Sequence, residues 1–260
     1  MKHLKLYESY QTEEEVAKIC RKYGIKNWSL NKDGLVDVDG DVKLSSKSLN
    51  KLPLKFGKVT GEFSCHNNQL TTLEGAPYSV GGEFSCHNNQ LTTLEGAPET
   101  VGGGFYCHNN QLTTLEGAPE TVGGGFYCAN NQLKTLEGAT HSVGGDFSCR
   151  SNKLIKLKGA PHSVSGDFNC DHNKLTTLEG GPETVSGNFR CSDNHLTTLE
   201  GAPYSVNGRF YCYYNSLPSL IKDNLDHINH IIANQDIYKI YNPDGSVNKY
   251  RFKLMMDSMD

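Results

Sequence analysis

Phe63-Ser64-Cys65-His66-Asn67-Asn68-Gln69-Leu70-Thr71-Thr72-Leu73-Glu74-Gly75-Ala76-Pro77-Tyr78-Ser79-Val80-Gly81-Gly82-Glu83 is one unit of a pattern that returns every 21 residues. Phenylalanine recurs at 84, 105, 126, 147, 168, 189 and 210, with cysteine two places after each. Asparagine follows five places after each phenylalanine, and leucines seven and ten places after. Phe63 and Cys65 are two apart, so in a short strand both point to the same inner side. Asn68 stands where the chain turns, and its amide can bond the backbone of the neighbouring coil. Stacked, such asparagines form a ladder that satisfies polar groups otherwise buried without partners. Leu70 and Leu73 return the chain over the core, and Gly81-Gly82 allows a tight approach to the next strand. No single coil buries its own apolar edge, so stability comes from stacking.

A fixed period between 20 and 29 residues marks a leucine-rich repeat, and Phe-x-Cys-x-x-Asn-x-Leu fits its core pattern. The expected fold is an α/β-type solenoid with one short parallel strand per coil, an irregular convex side and a cap at each end. The array starts one unit before Phe63, where Val42, Leu44, Leu49, Leu52 and Val59 keep the register and Lys47 replaces the ladder asparagine. About nine coils result. Residues 1–41 read as an N-terminal cap: a helix opened by Thr12-Glu13-Glu14-Glu15, running through Lys22 and ended by Gly24, then a hairpin about Asn31-Lys32-Asp33-Gly34. Residues 42–220 form the solenoid. Residues 221–260 form a C-terminal cap, helical from Asp223 to Ala233, then a strand at Ile237-Tyr238-Lys239-Ile240-Tyr241 and a turn at Asn242-Pro243-Asp244-Gly245.

Composition agrees with a solenoid. Of the 260 residues only 36% are hydrophobic, 27 are glycine, and the formal net charge is −4. That charge lacks the basic footprint of a nucleic-acid binder. No stretch nears the ~18 apolar residues of a membrane span. The first twenty residues hold no apolar run of the signal-peptide type, so export by that route is not expected and a cytoplasmic location is.

The coils resemble short bacterial leucine-rich repeats, akin to those of secreted effectors that join such repeats to a ubiquitin ligase. A closer resemblance is to phage and bacterial proteins carrying N-x-L-T-x-L-E-G-A-P-x-x-V-G-G-x-F-x-C. These also share Val36-Asp37-Val38-Asp39-Gly40-Asp41-Val42-Lys43-Leu44 and the closing Tyr250-Arg251-Phe252. That resemblance spans nearly the whole chain and implies the fold together with an intracellular role, such as capturing or inhibiting a host factor, a defence protein among the options. The effector likeness covers the repeats alone. The residues after Leu220 are too few for a ligase domain, so that activity is not carried over.

Chemistry finds little support in the motifs. Eight of the nine cysteines are repeat rungs with no C-x-x-C pair, and read as small buried apolar groups. His66, His87 and His108 share one register and are a candidate metal set, weighed against simple copying, since FSCHNNQLTTLEGAP occurs twice unchanged. His227 and His230 are a lesser case. Asp37, Asp39 and Asp41 lack the glycine and terminal glutamate of a calcium loop and read as a polar turn. Gly102-Gly103-Gly104 and Gly123-Gly124-Gly125 precede no helix and so cradle no phosphate. No catalytic residue, cofactor or metal is expected.

Recognition is expected on the concave sheet, at positions that vary and point outward. The residues so placed are Tyr106, Tyr127, Asp146, Arg150, Asp167, Asp171, Arg190, Arg209, Tyr211, Tyr213 and Tyr214. Tyr and Arg dominate interface hot spots, which makes the C-terminal end the focus. The convex side presents Glu74, Glu95, Glu116, Glu137, Glu179 and Glu200, broken by Lys158, a row that favours solubility. The expected partner is another protein; nucleic acid and membrane are not, and the oligomeric state is not read from the sequence. Two rivals belong to other classes: an exported adhesin or effector that binds a host-cell protein or glycan, and a metal- or ligand-sensing module built on the three histidines. A structural part of a virion is a further alternative.

Overall fold

The structure is a computed structural model and describes residues 12–259. Its core is one stack of short parallel strands held at the 21-residue step, with Phe63 opposite Phe84, Phe84 opposite Phe105 and so on to Phe210. Nine such strands, from Val42–Lys43 to Phe210–Tyr211, make one sheet. The fold is a leucine-rich-repeat-type solenoid.

One strand per coil and an irregular second side were expected; each coil instead carries two strands. The second is a two-residue Ser/Thr-Val strand, Ser79–Val80 in the quoted unit, and it belongs to a separate ten-stranded sheet. The valine is buried in each coil to Val185, and its β-branched side chain favours extended backbone. We call the two sheets the Phe-strand and Val-strand sheets.

Both sheets feed one continuous core. Every phenylalanine from Phe63 to Phe189 is 0% exposed, as are the cysteines two places on. Their rings form a column with neighbouring centroids 4.9 to 5.5 Å apart. All nine cysteines are free thiols, and burial pushes Cys65 and Cys128 up to about 12. They are packing groups.

The asparagine ladder is present in full. Asn89 donates through Nδ2 to the Cys65 carbonyl of the preceding coil and to Cys86 and His87 of its own, while its Oδ1 accepts from Leu70 N–H. The same bonds recur at Asn110, Asn131, Asn152, Asn173, Asn194 and Asn215. Asn68 is the first rung: it makes the same bonds back to the Val42 coil, where Lys47 holds the ladder position, and accepts from the N–H groups of Lys47 and Leu49.

At the N-terminal end, α1 (Glu13–Tyr23) is closed by a Thr12–Glu15 capping box and stopped by Gly24 in the left-handed region. Val16 and Cys20 seat it on the core. The hairpin Trp28–Leu30/Val36–Val38 follows, and its second strand pairs in parallel with Phe56–Val59. It is therefore already a rung of the Val-strand sheet. The acids of the Asp37 to Asp41 turn bond forward: Asp37 accepts from Lys58 N–H, Asp39 from the Thr60 hydroxyl and Asp41 from Glu62 N–H. Residues 1–11 of the expected cap lie outside the described residues.

At the C-terminal end the chain forms α2 (Ser219–Lys222), a 3-10 turn at Leu225–His227, α3 (Ile228–Tyr238), α4 (Lys249–Met256) and a last 3-10 turn at Asp257–Met259. The strand expected at 237–241 does not form. Ile228, Ile231, Ile232 and Gln235 are buried at helical spacing, so the helix runs on through Tyr238, and Lys239 ends it in the left-handed region. Tyr241 keeps one antiparallel bridge, to Val247. Two side chains pin this cap to the last coil: Gln235 donates to the Leu199 carbonyl, and the Tyr241 hydroxyl accepts from Leu199 N–H.

Candidate functional site: the open face of the Phe-strand sheet

With phenylalanine and cysteine turned inward, the residues before, between and after them form the outer face of the Phe-strand sheet. The acids there do part of the folding. Asp146 accepts from Asp167 N–H at 2.8 Å, Asp167 from Asn188 N–H at 2.7 Å, and Asp171 from Ser192 N–H at 2.7 Å. Each carboxylate caps the backbone of the next coil. Burial raises Asp171 above the ordinary carboxylate value, against the pull of Ser192 N–H and the nearby cations.

The tyrosines gather into two clusters. In the middle of the array Tyr106 and Tyr127 stack at 4.9 Å, 2° from parallel. Their rings lie over Gly104 and Gly125, where a Cβ would stand 2.8 and 2.7 Å from the ring. A Cβ there would displace the ring, so glycine lets each tyrosine lie flat over its own strand. Tyr106 donates to Glu83 at 3.4 Å and Tyr127 to Asp146 at 3.2 Å. Burial first, then the Asp146 charge, pushes Tyr127 up to about 12. Arg150, on the same stretch of face, is exposed and has no carboxylate within ion-pair distance among the described residues.

The second cluster closes the array. The Arg190 guanidinium sits 4.7 Å over the Tyr211 ring, and its Nε is 3.8 Å from Asp167. Tyr211 in turn lies 6.2 Å from Tyr213. Arg209 is exposed beside them, and Tyr213 and Tyr214 are 54% and 82% exposed. Tyr214 also has φ 55° at a position that holds asparagine in four coils, Asn67, Asn88, Asn109 and Asn130. There the asparagines form a second, exposed ladder of 2.7 to 2.8 Å bonds. A bulky aromatic in the left-handed region is strained. Three coil steps, roughly 14 Å, separate the two clusters. Ten of the eleven expected residues thus fall into two groups, and Asp171 lies between them, within reach of the charges of both Arg150 and Arg190. Sequence reading missed Glu83 as a partner of Tyr106, and missed the glycine seats. The signal was there: glycine before phenylalanine and tyrosine after it occur together at 104/106 and 125/127.

His66, His87 and His108 stack as parallel rings, 4.4 Å between centroids and 9° to 10° between planes. A metal is bound along a ligand ring's own plane at about 2 Å, and three parallel planes share no such point. No group of three or more His, Cys, Asp or Glu among the described residues is placed to hold a metal ion. Ser64 Oγ lies 2.8 Å from His66 Nδ1, but Ser64 is 2% exposed and no carboxylate bonds His66 among the described residues. That pair lacks both substrate access and an orienting acid.

The stack gives the protein an acid sensitivity. Burial pushes His87 down to about 4, with the charges of His108 and His66 adding to the shift, and lowers His108 in the same direction. Both rings are held neutral in the folded chain, while the unfolded chain protonates near 6.5. Stability is therefore full above about pH 6.5 and falls as the pH drops from there toward 4. The expected loss is on the order of 1 to 2 kcal/mol, less than the full shift would give because water screens half-buried rings. Urea unfolding at pH 7 and about pH 4.5 checks it. His87→Gln is expected to flatten this dependence; an unchanged slope would refute the assignment.

No known family profile matches the chain, and no curated protein does. Among solved structures it is similar to YopM from Yersinia enterocolitica WA-314, at 21% identity and a TM-score of 0.43. The match covers 68% of this chain and 44% of that one, so the chain spans less than half the length of that structure. A likeness so distant decides neither fold nor function, and the fold assignment rests on the strand register and the repeated core.

Proposed function

We propose that this protein is a non-enzymatic binding scaffold that captures another protein on the open face of its Phe-strand sheet. The observation that carries the reading is the cluster of Arg190, Arg209, Tyr211, Tyr213 and Tyr214. It gathers arginines and tyrosines on the open face and holds the most exposed of them, Tyr214, in a backbone conformation that costs stability. Strain kept on an exposed aromatic has no use in packing and fits recognition. The scaffold is preformed, so docking orders few groups and affinity is kept. The resemblance extends this reading to a host-cell partner, met inside the producing or infected bacterial cell and inhibited by steric occlusion.

The test is capture from host lysate by the wild type and by a variant with Arg190→Ala, Arg209→Ala and Tyr211→Ala. At least a tenfold loss of the retained protein is expected, with an unchanged circular-dichroism spectrum. Equal retention would overturn the reading. Tyr214→Asn adds a second arm: it relieves the backbone strain, so stability is expected to rise by about 1 kcal/mol while capture weakens. A rise in both would assign Tyr214 no part in binding.

A further inference from the structure

Two aromatic columns run up the open face, and the histidine column ends one coil before the tyrosine column. The imidazoles of His66, His87 and His108 stack at a constant 4.4 Å, and the next rung is Ala129. The outward face of the His108 ring therefore looks over a methyl group, with Arg150 one rung beyond. The side of this notch is already built. Tyr106 stands edge-on to His108, with centroids 6.4 Å apart and planes at 79°. Tyr127 repeats Tyr106 almost without rotation, 2° away. The ring that would stand to Tyr127 as His108 stands to Tyr106 belongs in the space above Ala129.

Resting on the binding role of this face, we propose that an aromatic side chain of the protein partner inserts above Ala129 as the next ring of the histidine stack. It lies face to face with His108, edge-on to Tyr127, and under the Arg150 guanidinium. Aromatic pairs favour these offset-stacked and T-shaped arrangements, and a cation over the outer face adds to them. Arg150 is exposed and makes no ion pair or side-chain hydrogen bond among the described residues; it feels the Asp171 carboxylate at longer range, which leaves its guanidinium able to reach that contact. Adjacent rungs are ~4.8 Å apart, so one planar ring fits between His108 and Arg150. A nucleobase has the same flat shape, but its phosphates would meet Glu83, Asp146, Asp167 and Asp171 on a chain of net charge −4. A side chain carries no such charge.

The experiment uses the full chain and small probes observed by NMR: N-acetyltyrosinamide, N-acetylleucinamide and adenosine monophosphate. The tyrosine amide is expected to shift the His108 ring and Ala129 methyl signals saturably, in the millimolar range. Its binding should be at least fivefold tighter than that of the leucine amide. Ala129→His fills the rung with the chain's own imidazole, so at least a fivefold loss is expected with the remaining amide spectrum kept. Arg150→Ala, which leaves the core untouched, is expected to weaken binding about threefold and serves if the first variant fails to fold. Equal response to the leucine amide, no loss in either folded variant, or tighter binding of the nucleotide would overturn the proposal. These probes need no partner, so a failure here is distinct from a failure of lysate capture by the Arg190, Arg209 and Tyr211 variant.

Discussion

Asn131→Ala is expected to cost about 4 kcal/mol in unfolding free energy, far more than an ordinary surface change. Asn131 is 4% exposed. Its Nδ2 donates to the carbonyls of Cys107, Cys128 and Ala129 at 3.2, 3.0 and 3.3 Å, and its Oδ1 accepts from Leu112 N–H at 3.0 Å. Alanine fills none of these needs. The groups left behind sit between coils where water has no entry, and each unsatisfied one costs about 1 to 3 kcal/mol. The adjoining Asn130 supplies the control. It is exposed and bonds Asn109 through one 2.8 Å contact, and its φ is 54°. Asn130→Ala is expected to cost about 1 kcal/mol, most of it from backbone strain. Urea unfolding of both variants decides the matter. If Asn131→Ala costs no more than Asn130→Ala, the ladder does not hold the coils together.

The contrast between these neighbours shows what the sequence makes readable. Asn131 and Asn130 are adjacent and identical in type, yet only the first keeps its identity through every coil from Asn68 to Asn215. Exact repetition at a 21-residue period locates the buried set, because every coil faces the same neighbours and solves the same packing problem. Phe, Cys, Asn and Leu were therefore legible one by one. The Ser/Thr-Val strands were not, since two residues are too few to show the alternation by which a strand is recognised. Ile237 to Tyr241 carried the β-branched and aromatic residues of a strand, but Ile228, Ile231 and Ile232 anchor a helix that runs into it as far as Tyr238. On the open face, the charge of Asp146, Asp167 and Asp171 suggested solvent exposure, yet all three are half-buried and have a second task. One oxygen of each is fixed on the backbone of the following coil, which depends on the distance between coils and on no pattern within one. The seat of Tyr106 on Gly104, and the gap beyond His108, likewise depend on which rungs stand side by side.

Phe147→Ala is expected to divide the molecule as well as weaken it. The ring is 0% exposed and stacked between Phe126 at 5.4 Å and Phe168 at 5.5 Å. Truncation removes the transfer energy of the ring and leaves a cavity, together about 3 to 5 kcal/mol. The cavity is placed where it matters most. Each coil touches only its neighbours, so the coupling that makes the array unfold as one unit passes through every interface in turn. Opening a gap at the middle coil is expected to separate one urea transition into two, with the N-terminal and C-terminal parts melting apart. Phe210→Ala is the fitting comparison: Phe210 is 6% exposed and stacks on one ring, Phe189 at 4.9 Å. Its loss frees only the last coil and the C-terminal helices, at about half the cost, with a single main transition retained. Equal effects from the two substitutions would mean that the phenylalanine column acts as separate contacts and does not carry cooperativity along the solenoid.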